Sequence, residues 1–193
     1  ERVGRSSAIF DEAKLRWLNG RYMREATLEG YETALAAHLR RTDPAAADAF
    51  ESAPGERRRE ACAIVQEKAQ TLTEIWPLIS FLFVEPTPDE KAWAKVMKPA
   101  VAEPLRRCRE VIASAEPFDA GTLERDLREL IEELGIGVGK ALQPIRVAIT
   151  GSTISPGLFE SVAALGRDAT LERLGAALAR LDVAASGGAD AAA

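Results

Sequence analysis

Apolar residues recur along most of the chain with the spacing of an α-helix. In residues 119–134 they fall at i, i+4, i+7, i+8 and i+11, on one helical face. These positions are Leu123, Leu127, Leu130, Ile131 and Leu134. A second leucine stripe spans residues 171–181, and we find no convincing alternation of apolar and polar residues of the kind a strand shows. The pattern predicts an all-α fold of roughly nine or ten helices, averaging about three turns.

Helix start signals are clear at three places. Asp43-Pro44 and Ser155-Pro156 each place a capping residue before a proline, and Thr87-Pro88-Asp89-Glu90 resembles a capping box. We therefore predict that Asp43, Thr87 and Ser155 are helix N-caps. Gly135 directly follows the 119–134 helix and is predicted to end it.

Two prolines that flank a single residue, in Glu85-Pro86-Thr87-Pro88, interrupt the helical pattern. A helix cannot continue through such a segment. We therefore predict two consecutive helical subdomains, residues 1–85 and 86–182. The tail, residues 183–193, is rich in Ala and Gly and lacks side chains able to form a core, so it is predicted to be disordered.

The overall composition is that of a soluble globular protein. Of 193 residues, 47% are hydrophobic and 28% charged, with 25 Lys+Arg against 30 Asp+Glu and a net charge of −5. This balance argues against a polybasic nucleic-acid binder but leaves room for a local basic site. No apolar run approaches the roughly 20 residues that a membrane span needs, and no signal-peptide pattern opens the sequence. We expect a cytoplasmic protein with no membrane partner.

Cysteine and histidine are too rare for most site chemistry. The two cysteines, Cys62 and Cys108, and the single histidine, His38, cannot supply the four ligands of an ordinary structural zinc site. Two isolated thiols fit a reducing compartment and are predicted to be free. His38 lies in an Ala/Leu helical pattern, where we interpret it as a surface or packed residue. The residues therefore predict no catalytic group and no metal site in this chain.

One stretch, residues 134–159, contains no acidic residue although the chain is acidic overall. This acid-free segment carries five glycines, four hydroxyl residues, Lys140 and Arg146. Hydroxyls and exposed backbone N–H groups bind phosphates and base edges, and a locally positive surface suits a polyanion. The alternative is a tight connection between two helices with a few solvated basic residues. The Gly135–Lys140 run resembles nucleotide-binding motifs, but it departs from both the dinucleotide and the P-loop patterns.

Other basic and aromatic groups have simpler explanations. The arginine clusters 57–59 and 106–109 lie beside glutamates and are interpreted chiefly as solvated helix faces. Trp17 and Tyr22 could stack on bases, although a tryptophan at such helical spacing more often belongs to the core.

Near the start, Ser7-Ala8-Ile9-Phe10-Asp11 and residues 14–22 resemble the segment after the catalytic domain of bacterial glutamyl-tRNA synthetases. The resemblance continues, in order and spacing, from about residue 3 to 182. Residues 66–72 and Phe81-Leu82-Phe83 look like its first anticodon-binding subdomain. Residues 143–151, then Ser155-Pro156-Gly157-Leu158-Phe159 and Leu165-Gly166-Arg167, look like its second. The last block is the most specific, and it coincides with the acid-free segment.

The resemblance implies an α-helical cage that binds the anticodon of tRNA(Glu), with tRNA(Gln) as a second candidate. It places Arg146 and the Ser155-Pro156-Gly157-Leu158 turn against the first two anticodon bases and Arg128 near the loop backbone. Lys68 falls where many members carry an arginine that faces the third base. Lysine lacks the guanidinium fork and cannot copy a bidentate contact, which leaves discrimination between tRNA(Glu) and tRNA(Gln) open.

The family's ATP-binding motifs, His-x-Gly-His and Lys-Met-Ser-Lys-Ser, are absent from the sequence. The resemblance therefore implies that ATP and Mg²⁺ are used by the full-length ligase and that this portion needs no cofactor and has no aminoacylation activity alone. We expect a monomer. Two alternatives stay open: a separate helical module that binds RNA or a protein, and a helical scaffold without an RNA role.

Overall fold

The computed structural model describes residues 11–190, with side chains described through residue 184. This part of the chain contains eleven α-helices and no strand, so the predicted all-α fold is confirmed. The helices are α1 (Glu12–Glu25), α2 (Leu28–Thr42), α3 (Pro44–Ser52), α4 (Gly55–Gln66), α5 (Ile75–Ile79), α6 (Glu90–Val96), α7 (Ala102–Ser114), α8 (Ala120–Leu134), α9 (Val138–Thr150), α10 (Leu158–Leu165) and α11 (Arg167–Asp190). Three short 3-10 turns lie at Leu72–Glu74, Ser80–Leu82 and Pro99–Val101.

Capping side chains and left-handed glycines set several helix ends. Asp43 is the N-cap of α3, and its carboxylate accepts a hydrogen bond from the Ala46 backbone N–H, as predicted. Gly135 adopts a left-handed conformation, with φ of 61°, at the end of α8, which also confirms the prediction. Gly151 ends α9 in the same way, with φ of 72°.

Two predicted helix starts are wrong. The helix expected to begin after Thr87 begins at Glu90, because the Asp89 carboxylate caps it by accepting from the Lys91 backbone N–H. The helix expected after Ser155 begins at Leu158, with Gly157 as its N-cap. A proline after a polar residue is compatible with an extended connection as well as with a helix start, and tertiary contacts decide between them.

The C-terminal helix is longer than the sequence predicted. Residues 183–190, expected to be disordered, continue α11 to Asp190. Residues 191–193 lie outside the described part of the chain.

Buried side chains from both predicted subdomains form one continuous hydrophobic cluster, which extends from Met23 to Leu181. In the first half, α2 packs against α3 and α4. In the second half, α7 packs against α8 and α11, while α10 contacts both α8 and α4. The division at residue 85 stays a prediction, but α10 packs directly across it. This packing fixes the α9–α10 connection relative to α4.

No described helix is both long enough and apolar enough to cross a membrane. Cys62 and Cys108 are buried free thiols, in agreement with the sequence analysis. Burial raises the pKa of the Cys62 thiol to about 12 and that of Cys108 to about 11.

Candidate nucleic-acid interface

The predicted site residues Arg146, Ser155 and Pro156 lie together at the α9–α10 connection. Arg146 lies on α9, and its Nη1 donates a 2.8 Å hydrogen bond to the Pro156 carbonyl and a short one to the Ser155 hydroxyl. The Ser155 hydroxyl in turn donates to the Pro156 carbonyl at 2.9 Å. The serine predicted to cap a helix therefore holds the turn against Arg146 instead.

Arg146 is half-buried and still has unused donors. Within the described residues its hydrogen bonds all come from Nη1, so Nε and Nη2 are left for a ligand. Burial lowers the pKa of the guanidinium, and the nearby Glu160 carboxylate opposes this shift. Because an arginine pKa lies far above neutral, the group stays charged. A fixed, charged guanidinium whose Nε–Nη2 edge is free suits bidentate recognition of a base edge or a phosphate.

An acidic side chain lies over the N-terminus of α10. A Cβ placed on Gly157 would clash with Oε2 of Glu160, so that carboxylate already covers the first turn of the helix. A carboxylate at this end is favourable for the helix but repels a phosphate. Glu160 directly follows the acid-free segment in the sequence. Leu158 belongs to the hydrophobic core and is 4% exposed.

Lys68 and Arg128 are both exposed, and no contact joins either side chain to Arg146 in the described structure. Lys68 lies in the turn after α4, where its backbone N–H donates to the Val65 carbonyl at 2.9 Å. Since α4 packs against α10, this turn belongs to a helix next to the one that follows Ser155. Arg128 lies on α8 and pairs with Glu124 one turn earlier, with an Nε–Oε1 distance of 2.8 Å. Their predicted RNA contacts stay predictions.

The arginine clusters are largely engaged within the fold. Arg57 donates to the Leu82 carbonyl at 2.9 Å, and Arg58 pairs with Glu32 at 2.5 Å. Arg106 pairs with Asp182 at 2.6 Å, and Arg107 with Glu133 at 3.2 Å. The solvated faces predicted for these clusters are thus in part engaged in contacts within the fold.

The core placement expected for Trp17 is wrong. Trp17 is 57% exposed and Tyr22 is 65% exposed, because α1 packs on the molecule through Gly20 and Met23. A single-sequence pattern cannot show which face of a terminal helix is covered.

A second basic group, which the sequence analysis missed in part, borders a cleft of about 510 Å³ beside the start of α9. Lys95 and Lys98 come from the end of α6 and the segment that follows, and Lys140 comes from the first turn of α9. A sequence signal was present, because residues 91–102 contain three lysines and no acid. About 40 residues separate this run from Lys140, so only the tertiary structure brings them together.

Comparison with known proteins identifies the domain that carries these features. The model of a family described as an anticodon binding domain matches residues 32–178, which include every predicted site residue. The chain belongs to this anticodon-binding domain family. The all-α fold and the resemblance to glutamyl-tRNA synthetases are thereby confirmed.

Curated relatives of this anticodon-binding domain are glutamate–tRNA ligases. This chain and the glutamate–tRNA ligase of Frankia alni are 40% identical over 178 residues. The alignment covers 91% of this chain and 37% of the ligase. This chain and the glutamate–tRNA ligase of Syntrophobacter fumaroxidans are 35% identical over 183 residues. That alignment covers 94% of this chain and 38% of the ligase. The chain thus spans less than two fifths of the length of these ligases.

A solved structure shows the same fold. The crystal structure of a glutamate tRNA ligase from Elizabethkingia meningosepticum superposes with a TM-score of 0.74 at 24% identity, over 91% of this chain and 34% of that one.

Proposed function

We propose that this domain recognises the anticodon of tRNA(Glu) as part of a glutamate–tRNA ligase. The family match supports anticodon binding, and the names of the relatives support glutamate as the amino acid and tRNA(Glu) as the partner. The observation that carries the proposal is the geometry of Arg146, whose charged guanidinium is fixed by a backbone turn through one nitrogen and keeps two others free.

This geometry suits a single-stranded RNA loop. Anticodon bases are unpaired in the free tRNA and can be turned outward, so their edges are available to side chains. Arg146 would donate from Nε and Nη2 to a base edge, while the Ser155-Pro156-Gly157 backbone lies beside it. Lys68 would add a point charge from the neighbouring α4 side, and Arg128 a contact to the loop backbone. The exposed positions of both residues are compatible with these roles.

We propose that the full ligase joins glutamate to the 3′ end of tRNA(Glu) with ATP and Mg²⁺. In residues 11–184 no cluster of three His, Cys, Asp or Glu side chains is arranged to hold a metal ion, and we assign no residue of this domain to either cofactor. The domain contributes binding energy far from the reacting end. Such remote binding energy orients the acceptor end and raises specificity for the correct tRNA.

The test is binding of a labelled tRNA(Glu) anticodon stem-loop to the 193-residue chain, measured by fluorescence anisotropy at two salt concentrations. Arg146→Ala should weaken cognate binding by about 1–3 kcal/mol, as expected for loss of a bidentate base contact. The loss should be smaller for a stem-loop with an exchanged anticodon, because that loop never gains the base contact.

Arg40→Ala is the matched control, since it removes an exposed arginine paired with Asp48 and Glu51 on a different helix. It should leave both affinities close to wild type. Wild-type affinity of Arg146→Ala for the cognate loop would refute the assignment of the anticodon site.

Lys68 provides a test of selectivity between tRNA(Glu) and tRNA(Gln). Lys68→Arg introduces the guanidinium fork that the family pattern carries. We expect this variant to increase the ratio of the affinity for the tRNA(Glu) stem-loop to that for the tRNA(Gln) stem-loop. An unchanged ratio, with Lys68→Ala also neutral, would remove Lys68 from the site.

A further inference from the structure

The cleft beside the start of α9 combines an apolar floor with a positive border. Its floor includes Val96, Val101 and Pro144, which come from α6, the 3-10 turn before α7, and α9. Its border carries the exposed lysines Lys95, Lys98 and Lys140. The volume of about 510 Å³ lies within the range of small-ligand sites.

The border is complementary to an anion. No acidic side chain lines the cleft, and none of its three lysines forms an ion pair within the described structure. The nearby acids are engaged elsewhere: Glu90 pairs with Arg180, and Glu103 with Arg106. In a chain of net charge −5, three unpaired lysines around one cleft form a local positive field.

The cleft also contains an unused polar group. Gln143 lines it, and the Oε1 atom of its carboxamide is buried without a hydrogen-bond partner in the described residues. A buried acceptor without a partner carries a desolvation penalty. The buried Oε1 atom leaves the Nε2 amide as the accessible part of the carboxamide, and its two N–H donors can bind a base edge.

The cleft and the Arg146 site share helix α9. Lys140, Gln143 and Arg146 lie at three-residue intervals on α9. At a helical rise of about 1.5 Å per residue, Arg146 is about 9 Å along the axis from Lys140. A strand held by Arg146 can therefore continue along α9 to the cleft.

We propose that this cleft binds one unstacked nucleotide of the RNA strand that adjoins the nucleotide held by Arg146. The apolar floor packs against the face of the base, the Gln143 carboxamide binds its edge, and the lysines bind the flanking phosphates. An apolar peptide would leave the lysines unused, and an acidic peptide would leave the floor unused. The proposal rests on RNA being the partner, as the proposed function states.

Two kinds of variant separate the base from the phosphates. Gly139 lines the cleft, and a Cβ there meets no atom within 4 Å, so Gly139→Phe can enter the cleft without a backbone clash or a change of charge. We expect it to weaken binding of the labelled tRNA(Glu) anticodon stem-loop about tenfold, with the salt dependence retained.

Lys98→Gln combined with Lys140→Gln should lower the slope of log K against log salt by about 1.4, since each single-strand phosphate contact contributes about 0.7.

Gly137→Phe is the control for the first variant, because Gly137 has equal space around its Cβ and does not line the cleft. Circular dichroism confirms that each variant is folded.

Arg146→Ala, measured in parallel, separates the two proposals. If Arg146→Ala weakens binding and Gly139→Phe does not, the nucleotide cleft is refuted while the anticodon site stands. If neither weakens binding, both fail. An octaglutamate peptide that binds wild type but not Gly139→Phe, with stem-loop binding unaffected by that change, would assign the cleft to acidic peptides and overturn the proposal.

Discussion

The guanidinium of Arg173 donates a 2.9 Å hydrogen bond from Nη1 to the backbone carbonyl of Phe81, 92 residues earlier in the chain. The same nitrogen donates to the Ile149 carbonyl at 2.7 Å, and Nη2 pairs with Glu85 at 3.2 Å. Burial lowers the pKa of this arginine, and the Glu85 carboxylate opposes the shift. One side chain on α11 thus joins the end of the first predicted subdomain to the helix that carries Arg146.

Arg173→Ala should lower the free energy of unfolding by about 3 kcal/mol, because it leaves two part-buried carbonyls without their charged donor. Urea unfolding followed by circular dichroism measures the change. Arg180→Ala is the control on the same helix: it removes an exposed ion pair and a contact over the Trp93 ring, and should cost about 1 kcal/mol or less. Equal losses in the two variants would contradict the structural role of Arg173.

Gly151 and Gly135 have the same left-handed backbone but different surroundings. A Cβ on Gly151 would lie 2.8 Å from the Thr87 carbonyl oxygen, whereas one on Gly135 meets nothing within 4 Å. Gly135→Ala should cost about 1–2 kcal/mol from backbone strain alone. Gly151→Ala should cost at least about 1 kcal/mol more, because backbone atoms must move. The urea midpoints of the two variants compare these losses directly. A smaller loss of stability for Gly151→Ala than for Gly135→Ala would show that the Thr87 backbone shifts at little energetic cost.

The Tyr31 hydroxyl is buried and has no hydrogen-bond partner in the described structure. Its burial raises the pKa of the phenol. Tyr31→Phe removes an unpaired polar group and keeps the ring, so the variant should be as stable as wild type or more stable by about 1 kcal/mol. Tyr22→Phe, at an exposed position, should change nothing. A thermal unfolding midpoint clearly below wild type for Tyr31→Phe would reveal a partner for the hydroxyl.

The two buried thiols predict a loss of stability at alkaline pH. Their folded pKa values, about 12 for Cys62 and about 11 for Cys108, lie above the ordinary value of 9.0. The two thiols therefore contribute fully to the free energy of unfolding below pH 9. This contribution falls as the pH rises above 9, because the thiols then ionise in the unfolded chain but not in the folded one. Between pH 8 and 10 the ionisation of each thiol should lower the free energy of unfolding by about 1 kcal/mol.

Urea unfolding across that pH range provides the measurement. Cys62→Ala combined with Cys108→Ala should flatten the alkaline part of the profile by about 2 kcal/mol, even though the smaller side chains lower stability at neutral pH. An alkaline slope equal to that of wild type would assign the pH dependence to other groups.

The helical class, several helix ends and the segment that carries the candidate site were all predictable from the amino-acid sequence. These features depend on local physics: the leucine period of α8, the Asp43 carboxylate before Pro44, and the freedom of Gly135 to adopt positive φ. The lack of acids in residues 134–159, the segment that contains Arg146, is likewise a local property of the sequence.

Contacts between distant segments set where helices begin when the local signals are ambiguous, and they set which residues share a surface. The Ser155 hydroxyl interacts with Arg146 rather than with a helix end, and Glu160 covers the N-terminus that the sequence left open. Trp17 is exposed because α1 packs through its other face. Lys95, Lys98 and Lys140 meet only because α6 and α9 are packed together. Local propensity acts within a few residues, whereas each of these outcomes depends on contacts between distant segments, and a single sequence does not contain their geometry.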